Sequence, residues 1–310
     1  MNSMESATSR QETGNDRASF ERQYNNPKNI TVADGTLQIY HAVPEKKADN
    51  FPIMLGHGFP ANPTAMRENL YPFFHAGKEV LFPFTPEGIQ ITQEIKDANV
   101  EMVDRQAEVE LRKASAFLKV IEEEKLENID GIGFSEGAIH IVTAALINPK
   151  KFRNIVLVNP AGVMGKTNFF NFVLGALKHV ALEKRKLAEA VRTGRYLRSG
   201  ELDERVAPEH DKSPGFVSGI QSKLAIPKSD ILDALAELER NGVGVTIIHT
   251  EDDQIYPLAK IKKMLAEKKL SHLLKVEKGS HTAFSSNPEK FWKLITAAFN
   301  DLEKQKQAVV

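Results

Sequence analysis

The 310-residue sequence predicts an α/β architecture: a mostly parallel sheet covered by helices on both faces, opened by an antiparallel hairpin and interrupted late in the chain by a helical insertion. Three observations carry this. Short apolar runs alternate with longer segments of helical period, the pattern of strands joined by crossover helices. Asp34-Gly35 divides an alternating run near the start, a strong two-residue hairpin signal. Between 163 and 241 helical patterns continue without a good strand candidate.

Taken in order, residues 1–25 are polar and charged, with too little apolar surface to offset the entropy of ordering, and are expected to form a disordered tail. The hairpin follows over Ile30–Val43. Phe51–Leu55 is a short continuous apolar run closed by glycines, as a buried strand is. A helix over about Pro63–His75 and the strand VLFPF come next. One long helix over Val100–Leu126 would place Val103, Ala107, Leu111, Ala114, Leu118 and Ile121 on one face. IDGIGF reads as a strand, EGAIHIVTAALI as a helix and RNIVLVNP as a strand. Beyond the insertion, VGVTIIHT, a helix from Pro257 to about Lys269, the run HLLKV and a helix from Pro288 to about Glu303 complete the alternation. The expected organisation is a core of 26–162 and 242–310 carrying a helical cap over 163–241.

Lysine plus arginine and aspartate plus glutamate both number 41, so no bulk charge draws the chain to nucleic acid or an anionic membrane, and a small, neutral substrate is the expected partner. The absence of cysteine removes disulfides, thiolate metal sites and thiol nucleophiles. The N-terminus lacks the apolar core of a signal peptide and no run is long enough to span a membrane, so a cytoplasmic protein is expected. No HExxH or paired histidines accompany carboxylates at ligand spacing, and no metal or cofactor is expected. Gly165-Lys166-Thr167 imitates the end of a phosphate loop, but the required first glycine falls on Pro160.

The chemistry concentrates at Gly133-Phe134-Ser135-Glu136-Gly137, a GxSxG between a strand and a helix. So tight a turn strains the nucleophile's backbone and requires glycines two residues to either side, holding the serine oxygen clear at a helix N-terminus. A serine hydroxyl needs a base, and the base an orienting carboxylate, both from later strand ends. Of nine histidines, His281 alone follows a late strand in a Gly-x-His loop. Asp252 and Asp253 both follow VGVTIIHT; Asp253 is favoured by the proline four residues on, and Asp252 is then a turn or capping residue. The position after the sixth strand holds Asn159, which cannot act as a carboxylate.

Gly56-His57-Gly58-Phe59-Pro60, GFSEG, EDDQIYP and GSH, in the order Ser, Asp, His, resemble the α/β-hydrolase superfamily in its cap-bearing branch, over about residues 30–305. The resemblance implies an α/β-hydrolase fold, a Ser135–His281–Asp253 triad and an oxyanion hole made by the backbone N–H groups of Phe59 and Glu136. Epoxide hydrolases and haloalkane dehalogenases share the HGFP element but carry aspartate where this chain has Ser135. The lipase-type HGGG loop is missing, which favours an esterase. A lactonase, thioesterase or carbon–carbon bond hydrolase would use the same residues, and a ligand-binding receptor on this fold is the alternative from another class. The aromatic-rich segment opening the cap suggests that Phe169, Phe170 or Phe172 roofs an apolar pocket floored by Phe59 and Phe134.

Overall fold

The computed structural model describes residues 16–32, 35–58, 63–85, 88–98, 101–104, 106–165, 169–192 and 224–309. Eight strands form one sheet: β1 (Lys28–Val32), β2 (Gly35–Ala42), β3 (Ile53–Gly56), β4 (Val80–Phe84), β5 (Ile129–Phe134), β6 (Phe152–Val158), β7 (Gly244–Thr250) and β8 (Leu274–Glu277). Their order is β1-β2-β4-β3-β5-β6-β7-β8. β1 and β2 pair antiparallel, as do β2 and β4, and every later pairing is parallel. The central strands β3 and β5 are buried at every position, which is why they read as unbroken apolar runs, whereas edge strands β1 and β8 keep exposed positions.

The helices are α1 (16–24), α2 (Pro63–His75), α3 (Gln93–Asp97), α4 (Glu101–Asp104), α5 (Glu108–Glu123), α6 (Gly137–Ile147), α7 (Phe169–Arg192), α8 (Leu232–Arg240), α9 (Leu258–Glu267), α10 (Ala283–Ser286) and α11 (Pro288–Val309). They cover both faces, so the core has two halves. Along β6, Ile155 and Leu157 join the half built with α5, α6 and α8; Val156 and Val158 join the half built with α2 and α11.

Three expectations change. Residues 16–24, expected within the disordered tail, form a helix whose Phe20 and Tyr24 are fully buried; their rings pack, tilted, against Phe74 and Tyr40 at 5.1 and 5.0 Å, and the Tyr24 hydroxyl donates to the Pro63 carbonyl at 2.9 Å. Two aromatics one turn apart anchor an otherwise polar segment. The single helix expected over Val100–Leu126 is broken: Ala107 is extended at φ −70, ψ 148, and the Gln106 side chain donates to the Asp230 carbonyl at 3.0 Å. α8, expected to belong to the cap, buries Leu232, Ala234, Leu235 and Leu238 beside α6 and β7. It is the described helix that immediately precedes β7, and it packs against both α6 and the sheet.

Candidate active site

The tight turn after β5 positions Ser135. Ser135 has φ 52, a left-handed conformation costly for a residue with a Cβ, and its N–H and C=O are fixed by Val158 O at 3.1 Å and Ala161 N at 3.0 Å. The turn closes only because glycines flank it: a Cβ on Gly137 would lie 2.1 Å from the Gly56 backbone, and one on Gly133 2.7 Å from Ala138 Cα. α6 then starts beneath the serine, with the Glu136 N–H in its first turn.

The other two groups come from the ends of β7 and β8. The Ser135 hydroxyl donates to His281 Nε2 at 3.0 Å, and His281 Nδ1–H donates to Asp253 Oδ2 at 2.7 Å. The second Asp253 oxygen accepts the N–H groups of Ile255 and Tyr256 at 2.8 and 2.9 Å. Burial works to raise the Asp253 carboxyl, but His281 beside it, His249 and the Tyr256 amide outweigh burial and hold it below its ordinary value. An ionised Asp253 places the imidazole proton on Nδ1 and leaves Nε2 as the acceptor. Asp252 is exposed, with its N–H on Gly279 O at 3.0 Å.

Two residues that sequence reasoning left out of the site help to build it. Asn159, left-handed at φ 44, donates through Nδ2 to His281 O at 3.0 Å and accepts through Oδ1 the Thr250 N–H at 2.8 Å, so one side chain ties the ends of β6, β7 and the His281 loop. Tyr256 is buried and lies edge-on to the His281 ring at 5.3 Å. The EDDQIYP pattern contained Tyr256, but used only the proline after it.

α7 crosses over this loop. A Cβ on Gly175 would lie 2.7 Å from Gln254 O, Phe172 packs on Tyr256 at 6.4 Å, and His179 lies edge-on to His281 at 5.9 Å. Of the expected pocket residues, Phe134 lies against His281 at 5.5 Å and Phe172 against the Asp253 loop. Phe59 lies outside the described residues, as do the side chains of Phe169 and Phe170.

Beneath the turn is a second, sealed group. Lys113 Nζ donates to Glu136 Oε1 at 2.6 Å, and Glu110 Oε2 meets His140 Nε2 at 2.7 Å, all four residues buried. Burial pushes the Glu110 carboxyl up to about 7 and the His140 imidazole down to about 3. Glu110, Glu136 and His140 offer ligand-type atoms within 4.8 Å of one another, and the Lys113 ammonium is bonded to Glu136 beside them.

No protein-family model and no curated protein matches the sequence. Solved structures do. An esterase from Exiguobacterium antarcticum superposes with a TM-score of 0.60 at 18% identity, over 89% of this chain and 100% of that one. A bromoperoxidase from Bacillus anthracis gives 0.58 at 15%, over 89% and 100%. An α/β hydrolase from a Medee basin deep-sea metagenome gives 0.60 at 14%, over 88% and 97%. At such identities the likeness is one of fold. Among the described residues no helix is long and apolar enough to cross a membrane.

Proposed function

We propose that this chain, which has the α/β-hydrolase fold, hydrolyses carboxylic esters of small, mostly apolar substrates through an acyl-enzyme on Ser135. The observation that carries the reading is the unbroken relay from the Ser135 hydroxyl through His281 to Asp253, at 3.0 and 2.7 Å. In this mechanism His281 takes the Ser135 proton as Oγ bonds to the acyl carbon, and the carbonyl oxygen becomes an oxyanion facing the Glu136 N–H, with the Phe59 N–H as the second donor. Collapse expels the alcohol, protonated by His281. A water, deprotonated by the same imidazole, then releases the acid and restores Ser135. Lactones and thioesters would follow the same steps.

Stoichiometric labelling by a fluorophosphonate, together with hydrolysis of p-nitrophenyl esters, tests this. Ser135→Ala should abolish both, with turnover falling about a million-fold at unchanged fold, since alanine leaves no charge unpaired. A variant that keeps a tenth of the activity would remove Ser135 from the reaction. The apolar preference rests on Phe134 lying against His281 and on Phe172 of α7 lying against Tyr256 in the Asp253 loop. Acetyl, butyryl and octanoyl esters should differ in kcat/KM, at about fourfold per buried methylene, and Phe172→Ala should flatten the series. A series already flat in the wild type would rule out the apolar pocket.

A further inference from the structure

Hydrogen bonds hold the His281 ring at its two nitrogens, to Asp253 at 2.7 Å and to Ser135 at 3.0 Å. In an acyl-enzyme the Ser135 hydroxyl is consumed and the second bond is gone, so the rings packed on the imidazole have to keep Nε2 in place for the water. Phe134, next to Ser135, and Tyr256, in the Asp253 loop, pack on it at 5.5 and 5.3 Å. Among the described residues the third ring is His179, buried and edge-on at 5.9 Å, and it comes from α7. That helix meets the relay along one face. Phe172, Gly175 and His179 are spaced three and four apart and lie together, whereas Leu174 and Leu177 are exposed on the other side. Glycine is the poorest helix former after proline, so its place inside a 24-residue helix calls for a reason. The reason is contact: a Cβ at 175 would lie 2.7 Å from Gln254 O and 3.3 Å from Ile255 Cα. Both are backbone atoms that cannot swing aside, and the Ile255 N–H is a donor to Asp253 Oδ1 at 2.8 Å.

We propose that Gly175 and His179 are positioning residues for the Ser135–His281–Asp253 relay, a role that rests on the acyl-enzyme reading above. Gly175 lets α7 lie directly on the backbone that holds Asp253, and at that depth His179, one turn further on, meets the His281 ring. Neither residue moves a proton. Together they keep Nε2 aimed through the step in which Ser135 no longer holds it, and a misplacement of about 1 Å in such a group can cost about a hundredfold in rate. With alanine at 175 the helix or the loop has to shift, although alanine is the better helix former. Activity should therefore fall without a matching loss of stability.

The experiment measures p-nitrophenyl acetate hydrolysis and melting temperature for Gly175→Ala, His179→Ala, His179→Phe, Leu177→Ala and Ser135→Ala. Gly175→Ala and His179→Ala should each lower kcat by about 10- to 100-fold without raising KM, and the glycine change should not lower the melting temperature. His179→Phe, which restores a ring, should return kcat to within about threefold of wild type, and Leu177→Ala on the exposed side should leave it unchanged. Beside an inactive Ser135→Ala, a kcat within about threefold of wild type in Gly175→Ala or His179→Ala would overturn the role of that residue. So would a fall in melting temperature that matches the loss of activity at 175, or a His179→Phe protein as slow as His179→Ala. An equal loss in Leu177→Ala would overturn the assignment to the inner face of α7. An active Ser135→Ala would instead overturn the acyl-enzyme reading on which the proposal rests.

Discussion

Two buried histidine–carboxylate pairs lie on either side of the same turn, His281–Asp253 above it and His140–Glu110 below, each closed at 2.7 Å. Their chemistry diverges because their surroundings do. Asp253 has both oxygens occupied by donors, two of them backbone N–H groups, and remains ionised. Glu110 has one oxygen on His140 and none on a donor for the other among the described residues, so burial favours its protonated form up to about pH 7. The first pair directs His281 Nε2 at the Ser135 hydroxyl. The second holds a shared proton in a sealed cluster beside the Lys113–Glu136 ion pair. Distance and burial alone therefore do not tell the two pairs apart; the donors to each carboxylate do.

The contrast can be broken most severely at Asp253. Asp253→Asn should lower kcat/KM by about 10,000-fold with little loss of stability, because the amide favours the wrong imidazole tautomer. Glu110→Gln, the matching change below the turn, should leave kcat/KM within about tenfold; ester kinetics on both variants would expose a reversal. Lys113→Met should have the next largest effect, on folding instead of rate. It strands Glu136 without its cation, and urea unfolding should register a loss of about 3–5 kcal/mol.

A smaller effect separates the two members of the lower pair by sign. Glu110 stays protonated up to about 7 in the folded protein against a usual 4.5, so alone it binds more protons folded and makes stability fall as pH rises between those values. His140 stays neutral down to about 3 against a usual 6.5, so alone it makes stability rise with pH over that window. In the intact pair the two slopes oppose each other between 4.5 and 6.5. Relative to wild type, His140→Asn should slope downward and Glu110→Gln upward across that interval, each by at most about 1.4 kcal/mol per pH unit. Equal slopes in urea titrations at pH 5 and 6 would mean that the pair does not share its proton in this way. Asp252→Asn should do least, leaving kcat/KM within about threefold, since that side chain is exposed and outside the relay.

What the sequence determined by itself is what local spacing controls. The buried strands are legible because both of their faces are covered, which leaves unbroken apolar runs. Ser135 is legible because its turn demands Gly133 and Gly137 within two residues, and His281 because a glycine-bounded loop follows a late strand. Asp253 could be separated from Asp252 only by the proline beyond it. Composition averaged over a long tail concealed the Phe20–Tyr24 anchor, and helical period ran through the break at Ala107 because the Gln106 bond that accompanies it reaches a partner 124 positions away. Tertiary structure alone decided the roles of Asn159, Tyr256, Lys113 and Glu110. Each depends on partners brought in from other elements, such as the 122 positions between Asn159 and His281, and on how much water those partners exclude. The residue types decide which groups can donate, accept or ionise; whether a carboxyl keeps its proton or an amide bridges two loops is set by desolvation and three-dimensional proximity, which no local pattern encodes.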